Sequence, residues 1–397
     1  MRLHRSTALL RIVAVGLMLS GWLMLDRRRD MPLAAPTAAN NDAKPEPAES
    51  GDTWPVFRGN ARATGVATSK LPAKLDVLWK FAPERASFEA TAVIADGRVF
   101  VGSLDGELFA LNLKTGEKLW EFKTEGGFHA AAAVRRDCVF AGDADGKMYC
   151  LAAANGELLW TYEGGAEIDG GPNFFKDTVL FGSQDANLYC LKCDNGELVW
   201  KHTIGDQIRC SPTVIEDRAF LAGCDGVLHM VDLNTGESVG DGVPIEAPTG
   251  CTPAAGGDQI YFGGEGETFF CVDWKKSQIA WRYRSEERHF PYRSSAALTD
   301  KLVIVGGRDK YVRAFHLDGQ EAWEYSAKTR VDSSPVVVGD RLFVGLGNGK
   351  LVALALDSGK ELWSYEAGGD FSSSPAVASG RLVIGNANGT VYCFGGK

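Results

Sequence analysis

The sequence predicts an all-β fold, an eight-bladed β-propeller over residues 75–397 with four antiparallel strands in each blade. Two observations predict it: tryptophan returns about every 40 residues, and short apolar strands separated by glycine-rich turns recur between the tryptophans. With 47 glycines in 397 residues, the composition suits short strands joined by tight turns. The repeating tryptophans, spaced 41, 40, 40, 81, 42 and 40 residues apart, are Trp79, Trp120, Trp160, Trp200, Trp281, Trp323 and Trp363.

The gap of 81 residues equals two periods, and Gly240 occupies the missing tryptophan position, so the chain carries eight repeats. The repeat at residues 91–120 has apolar stretches at Ala92–Ile94, Val99–Val101 and Leu108–Leu111, and a fourth that ends at Trp120. Turns containing glycine separate these stretches. Four short strands joined in this way predict one antiparallel blade.

The two ends of the chain predict how the ring closes. After Trp363 only three strands remain, and the missing fourth is found near the N-terminus at Asp76–Phe81. We therefore expect the N-terminal strand to complete the last blade, which leaves no open first or last blade to aggregate.

The N-terminal residues 1–30 have the pattern of a membrane-targeting segment. An apolar run at residues 12–25 lies between arginines on both sides, and its length fits a signal segment better than a full span. An uncleaved signal-anchor is the favoured interpretation, which predicts a propeller on the periplasmic side of the cell envelope, tethered to the inner membrane. The alternative is a signal peptide cleaved near residues 34–39, with secretion to the periplasm. Residues 31–53 are predicted to be a disordered spacer, and residues 54–74 a lead-in segment.

The charge of the chain argues against nucleic acid as a partner. The net charge is −9, and residues 1–30 contribute +4, which leaves −13 on the remainder. A body this acidic, with no basic stripe, repels phosphates. A ring closed on itself is expected to be monomeric.

Residues 110–120 (ALNLKTGEKLW) resemble the tryptophan-docking motif of quinoprotein-type propellers, with a small residue first, glycine seventh and tryptophan eleventh. The motif recurs at 150–160, 190–200 and 353–363, and weaker copies occur in other repeats. The resemblance implies that each indole lies between the small residue and the glycine of the neighbouring blade. It covers about four fifths of the chain and includes two functional branches. One is the BamB-type envelope propeller, which assists outer-membrane protein assembly without a cofactor, and the other oxidises alcohols with pyrroloquinoline quinone and calcium.

The cysteines favour the first branch. Most alcohol-oxidising members have an adjacent cysteine pair over the cofactor, whereas the nine cysteines here include no adjacent pair. We therefore expect a non-catalytic scaffold with no catalytic residues, no metal and no cofactor, which binds an envelope protein or peptide. The alternative is a small quinone-dependent dehydrogenase. Cys138 and Cys150 are each six residues from Ala144, and two free thiols are favoured over a disulfide.

Alignment of the eight repeats predicts a ring of charged side chains where the innermost strands begin. Gly250 and Ser372 occupy this position in two repeats. Such a ring at one mouth of the channel is a candidate partner-binding site, although neighbours could instead pair, Asp169 with Arg209 and Arg293 with Asp332. The six predicted ring residues are Glu89, His129, Asp169, Arg209, Arg293 and Asp332.

One interblade loop is longer than the others. From the tryptophan to the first strand the distance is 12 or 13 residues except between 281 and 296, where it is 15. The added residues include Arg288, His289, Phe290 and Tyr292, an arginine-rich and aromatic composition typical of a contact site. Drift in the length of a surface loop is the alternative explanation.

Overall fold

The structure is a computed structural model that describes residues 52–397. Within these residues, 33 strands form eight sheets. The predicted signal segment and nearly all of the predicted spacer lie outside the described residues. No helix within residues 52–397 is long and apolar enough to cross a membrane.

Each blade is one antiparallel sheet, and its innermost strand comes first in the chain except in the last blade, which draws on both ends. Two strands precede the first blade, β1 (Val66–Ala67) and β2 (Asp76–Phe81). Blade 1 contains β3 (Val93–Ala95), β4 (Arg98–Gly102), β5 (Glu107–Asn112) and β6 (Lys118–Lys123); blade 2 contains β7 (Ala133–Arg135), β8 (Cys138–Gly142), β9 (Lys147–Ala152) and β10 (Leu158–Glu163). Blade 3 contains β11 (Asn173–Phe175), β12 (Thr178–Gly182), β13 (Asn187–Lys192) and β14 (Leu198–Thr203); blade 4 contains β15 (Thr213–Ile215), β16 (Arg218–Ala222), β17 (Val227–Asp232) and β18 (Val243–Pro244). Blade 5 contains β19 (Ala254–Gly256), β20 (Gln259–Gly263), β21 (Thr268–Asp273) and β22 (Gln278–Arg284); blade 6 contains β23 (Ala297–Leu298), β24 (Leu302–Gly306), β25 (Tyr311–His316) and β26 (Glu321–Ser326). Blade 7 contains β27 (Val336–Val338), β28 (Arg341–Gly345), β29 (Lys350–Ala355) and β30 (Glu361–Glu366); blade 8 contains β31 (Ala376–Ala378), β32 (Arg381–Gly385) and β33 (Val391–Gly395) together with β2.

The predicted closure is confirmed. Strand β2 pairs antiparallel with β33, with Trp79 opposite Cys393 and Phe81 opposite Val391. The outermost strand of blade 8 therefore comes from the N-terminal side of the propeller, and the ring is held shut by hydrogen bonds within one sheet.

The tryptophan-docking contacts form as the resemblance implied. The indole Nε1 of Trp120 donates to the carbonyl oxygen of Ala153 in the next blade at 3.0 Å. A Cβ placed on Gly156, whose φ is +75°, would come within 2.7 Å of the Trp120 ring. Equivalent contacts tie six of the seven tryptophans to the following blade, whereas Trp363 packs edge-on against Phe394 with ring centroids 5.6 Å apart.

Blade 4 departs from the repeat where the tryptophan is missing. Its outermost strand β18 has only two residues, Val243 pairing with Leu228 and Pro244 with Val227. In blade 5, Ser277 stands where the other blades have the docking glycine, and it keeps the left-handed backbone with a φ of +51°. Because position 240 has no indole, no ring lies over position 277 to clash with a side chain there.

All nine cysteines are free thiols in the structure, Cys138 and Cys150 included. The two are not directly opposite each other, because Cys138 pairs with Ala152 and Cys150 with Phe140. Burial raises the pKa of the Cys150 thiol, and the neighbouring Cys138 adds to that effect.

The lead-in segment is a part of the fold that the sequence did not predict. Residues 54–69, here called the collar, run along the inner strands and contact the blades in chain order. Trp54 exchanges two backbone hydrogen bonds with Ile94 of blade 1, at 2.8 and 2.9 Å. In blade 7, β1 forms a parallel pair with β27. The backbone amides that donate to the collar are Val134 to Pro55, Val214 to Ala61, Ala255 to Arg62, Leu298 to Thr64 and Val337 to Gly65.

Hydrogen bonds that involve side chains connect the collar to the two remaining blades, blades 3 and 8. In blade 3, Asn173 Nδ2 donates to the carbonyl oxygen of Ala61 at 2.9 Å. In blade 8, the Gly380 amide donates to Ser69 Oγ at 2.9 Å. In the six other blades, the innermost strand would otherwise present an unpaired backbone amide to the channel, and a collar carbonyl accepts a hydrogen bond from it.

One buried arginine fastens the collar. The Arg58 side chain is 1% exposed and donates to the carbonyl oxygens of Ala296, Pro335 and Ser334, at 3.0, 2.5 and 3.3 Å. Burial lowers the pKa of Arg58 to about 9, still well above neutral pH, so the guanidinium is charged at pH 7. Its charge is balanced by carbonyl dipoles from blades 6 and 7 rather than by a carboxylate.

Candidate functional site

The channel of the propeller holds a well of about 160 Å³. Phe57 of the collar lines its inner end, while the predicted ring surrounds its mouth. In each blade the chain passes the ring position first, then a wall position two residues later, and then the innermost strand, which contacts the collar. Along this segment, residues with higher numbers therefore lie deeper in the well. All six predicted ring residues line the same well.

A belt of hydroxyl groups forms most of the wall. Two residues after the ring position, the backbone amides of five blades donate to a hydroxyl of the next blade, as in Ser295 to Ser334 Oγ at 2.9 Å. The last of these bonds, from Ser374 to Thr91 Oγ1 at 3.1 Å, crosses the seam between blades 8 and 1. Ala131 and Gly171 occupy the position in blades 2 and 3, so the wall there carries no hydroxyl. The remaining bonds of the belt run from Ser211 to Thr252, from Thr252 to Ser295 and from Ser334 to Ser374.

The ring residues do not make the two ion pairs considered as their structural explanation. Asp169 contacts His129 and Gln184, and Arg209 forms no ion pair within 4 Å among residues 52–397. Arg293 instead bonds Glu265, with Nε to Oε1 at 3.0 Å. The specific pairs Asp169–Arg209 and Arg293–Asp332 are therefore wrong. Residues outside the ring bind Arg293 and Asp332, whereas Asp169 contacts the ring residue His129 and Gln184.

Asp332 is held by two arginines that are not ring members. Arg308 makes two bonds to its carboxylate, both at 2.8 Å, and Arg330 Nε adds a third at 3.2 Å. Arg330 also contacts Asp370. This side of the mouth is a network of opposite charges in which each carboxylate has an arginine.

The opposite side of the mouth is acidic. His129 Nδ1 lies 2.9 Å from Glu167 Oε1 and 3.8 Å from Asp169 Oδ1. Gln184 Nε2 donates to the other oxygen of each carboxylate, at 3.0 and 2.7 Å. Burial raises the pKa of Glu167, and the nearby Asp169 carboxyl raises it further, while His129 and Arg209 act against this.

The sequence did not identify Glu167, Gln184, Glu265, Arg308 or Arg330, although the repeat contains a signal for them. In every blade the amide at the tip of the second hairpin donates to the carbonyl two residues before the ring position, as in Gln184 to Glu167 at 2.9 Å. These two positions therefore lie beside the ring in all eight blades. Extending the same alignment to both would have predicted the additional mouth residues.

A slot opens at Gly250, where the ring has no side chain. A Cβ built there would lie 3.4 Å from Arg209 Cβ, an ordinary contact, so the space is not filled. Arg209 and Arg293 flank a cavity of about 230 Å³ that Cys224, Thr249 and Glu265 also line. Arg209, which forms no ion pair with any other described residue, lines this slot.

The long loop presents only part of its predicted contact set. Phe290 is 51% exposed, and Arg288 lies over the ring of Tyr311 at 4.0 Å. His289 pairs with Glu267 through Nδ1 at 3.1 Å. Tyr292 is only 4% exposed, because it fills the core position that precedes the ring in each blade, so a partner cannot reach it.

Comparison with known proteins supports the fold and the repeat family. The model of the β-propeller of the beta-alanine-activating enzyme matches residues 88–395. No curated protein matches the chain.

Among solved structures, BamB from Moraxella catarrhalis is 18% identical to this chain with a TM-score of 0.69. The match covers 82% of this chain and 98% of the BamB chain. The quinohemoprotein alcohol dehydrogenase from Comamonas testosteroni is 15% identical with a TM-score of 0.75, and the match covers 87% of this chain and 81% of the dehydrogenase chain. The computationally designed Ika8 protein is 17% identical with a TM-score of 0.70, and the match covers 80% of this chain and 98% of the Ika8 chain. These identities carry the fold and no particular function. The family match, which spans most of the chain, shows that this protein belongs to the β-propeller family described by the beta-alanine-activating enzyme.

Proposed function

We propose that this propeller is a non-catalytic scaffold of the cell envelope, which binds an exported protein or peptide at the mouth of its well. The resemblance to the BamB-type branch supports this proposal. The single observation that carries it is the charge of Arg209, which lines an open slot and has no ion pair within residues 52–397, while most other ring residues form local pairs. A charged group without a partner at a partly enclosed surface gains most from an incoming opposite charge.

The partner of this site would present a carboxylate, from an acidic side chain or a chain terminus. Such a group can reach Arg209 from the slot at Gly250 and lies within reach of Arg293. Arg293 would then exchange part of its bond with Glu265 for the incoming carboxylate. The exposed Phe290 lies in the loop just before Arg293 and offers an apolar contact beside it.

The experiment compares capture of envelope proteins by the full-length chain in detergent with capture by Arg209→Glu combined with Arg293→Glu. The expected result is loss of the captured partner with only a small change in melting temperature, because both side chains are exposed and the exposed Arg293–Glu265 pair contributes little to stability. The matched control is Lys114→Glu combined with Lys360→Glu. It makes the same change in net charge on exposed turns of the opposite face and should leave capture intact. Equal capture by the ring variant and the wild type would contradict the proposal.

The alternative is a small quinone-dependent dehydrogenase, for which the fold of the Comamonas alcohol dehydrogenase is the specific observation. The cysteines argue for the scaffold, because the nine cysteines include no adjacent pair of the kind that most alcohol-oxidising members hold over the cofactor. Addition of pyrroloquinoline quinone with calcium should leave the absorption spectrum and the melting temperature unchanged. Binding at a hundredfold excess over the dissociation constant would stabilise the fold by about 2.7 kcal/mol, so a saturable shift would favour the dehydrogenase.

A further inference from the structure

His129, Glu167 and Asp169 bring three potential metal-ligand atoms together on the acidic side of the mouth. The imidazole Nδ1 and one oxygen from each carboxylate all lie within 4.8 Å of one another. His129 comes from blade 2 and the two carboxylates from blade 3, so the seam between these blades fixes their positions. The side chains of His129 and Asp169 are 44% and 22% exposed, and both line the well.

The spacing of these atoms fits a small tetrahedral ion. Zinc binds imidazole nitrogen and carboxylate oxygen at about 2.0–2.2 Å, which places neighbouring ligand atoms about 3.3 Å apart. The distances from His129 Nδ1 to the two carboxylate oxygens, 2.9 and 3.8 Å, lie on either side of that value. Small side-chain rotations would make both distances equal.

Gln184 holds the two carboxylates in a fixed orientation, as residues that hydrogen-bond to metal ligands do in known metal sites. Its amide donates to Glu167 Oε2 and Asp169 Oδ2, and these bonds leave Oε1 and Oδ1 facing His129. Partners of this kind, which hold a ligand in place from behind, are common around bound metals. Within residues 52–397 no lysine or arginine lies within 4 Å of either carboxylate.

Arg209 is the other charged group that acts on Glu167. It lowers the pKa of that carboxyl, and its charge opposes a bound cation. The proximity of Asp169 has the opposite consequence, because two adjacent carboxylates repel each other until a cation or proton lies between them. A divalent ion would relieve that repulsion and outweigh the single positive charge of Arg209.

We propose that His129, Glu167 and Asp169 form a binding site for a divalent transition-metal ion, with zinc as the best match. One imidazole and two carboxylates suit zinc, whereas calcium and magnesium prefer ligand sets made only of oxygen. The side of the cluster that faces the well leaves room for a fourth ligand from water or a bound molecule. This site does not depend on the scaffold function, which rests on Arg209 and the slot at Gly250.

The test is calorimetric titration of the full-length chain in detergent, after treatment with a chelator, with zinc chloride and in parallel with calcium chloride. The wild type should show one saturable zinc site and a zinc-dependent rise in melting temperature. His129→Ala should abolish both, and Asp169→Asn should weaken zinc binding at least about tenfold, since even outer partners of a metal contribute that much. Arg209→Gln should tighten binding because it removes the opposing charge.

The control is His289→Ala. His289 is also exposed and also contacts a glutamate, with Nδ1 3.1 Å from Glu267 Oε2, but the group beside it is Arg284 and not a second carboxylate. This variant should bind zinc as the wild type does. Absence of saturable zinc binding, or equal binding by His129→Ala and the wild type, would overturn the proposal, as would tighter binding of calcium than of zinc. Arg209→Glu separates the two proposals, because it should abolish partner capture while strengthening zinc binding.

Discussion

Adding one methyl group at a docking glycine is expected to be costly, and Gly156→Ala tests this. Gly156 has a φ of +75°, and a Cβ there would lie 2.7 Å from Trp120 Cε3 and 2.8 Å from Cδ2. The indole cannot simply move away, because its Nε1 is bonded to the Ala153 carbonyl oxygen at 3.0 Å and Phe100 packs against it at a centroid distance of 5.8 Å. The backbone of blade 2 would have to shift away from blade 1.

Two contributions make up the cost. A left-handed backbone costs alanine about 1–2 kcal/mol relative to glycine. Overpacking against a fixed ring adds about 1–3 kcal/mol. Gly97→Ala separates the two, because Gly97 has a φ of +71° and nothing within 4 Å of its Cβ position. It should lose only the first contribution, so the difference between the two variants measures the docking contact.

The assay is chemical denaturation of the full-length chain, with each glycine variant made in the wild type and in Trp120→Ala. Once the indole is removed, Gly156→Ala should cost no more than Gly97→Ala. Equal losses for the two glycines in the wild-type chain would refute the steric argument. An unreduced cost of Gly156→Ala in the Trp120→Ala background would refute it as well.

Three further predictions concern the collar, the closure and the mouth. Arg58→Ala should lower the free energy of unfolding by about 2–4 kcal/mol, because three buried carbonyls lose their hydrogen-bond donor. The control Arg62→Ala, on the exposed side of the collar, should change the free energy of unfolding by less than about 0.5 kcal/mol, and denaturation curves of both variants measure the difference. Deleting residues 1–82 removes the collar and β2 and leaves β33 as an unpaired edge, so we expect aggregation or a large fall in melting temperature. Deleting only residues 1–51 should give a folded monomer, as judged by gel filtration and thermal melts. Glu167 has a raised pKa in the folded state, so its carboxylate destabilises the fold at neutral pH and this penalty disappears as the pH falls through the folded pKa towards about 4.3. Glu167→Gln should therefore be more stable than the wild type at pH 7 and equal to it near pH 4, and a gain that is constant with pH would contradict this.

The parts of the fold that the sequence predicted are those that local chemistry repeats. Six of the seven docking tryptophans pack against a glycine of the next blade, about one repeat later in the sequence, so the spacing of the two residues reveals the blade count. The position of the ring followed from the same alignment, and all six residues do line one well. The closing strand was predictable because the last repeat lacks one strand and Asp76–Phe81 supplies its pattern.

The pairing within the ring was not predictable from a single position in each repeat. Asp332 has Arg308 and Arg330 within hydrogen-bond distance, and Arg293 has Glu265, so these neighbours compete with the other ring members. These neighbours lie at the hairpin tip or two residues before the ring position, and the alignment of the ring position alone did not include either place. The collar was missed for a different reason. Its segment belongs to no repeat, and most of its hydrogen bonds to the blades are made by its backbone carbonyls, which leave little trace in the side-chain pattern.

The irregular blades show what the repeat glycine is for. Ser277 occupies the docking-glycine position with a φ of +51°, which shows that the turn itself requires a left-handed backbone with or without an indole above it. In the preceding blade, Gly240 has replaced the tryptophan, so no ring covers that turn. Serine can therefore occupy position 277, because it meets only the conformational cost and no steric clash. At Gly156 both requirements act together, and a serine there would meet the Trp120 ring as well. Loss of the tryptophan in one blade thus permits loss of the glycine in the next, which is the pattern expected if the two residues form one structural unit across each seam.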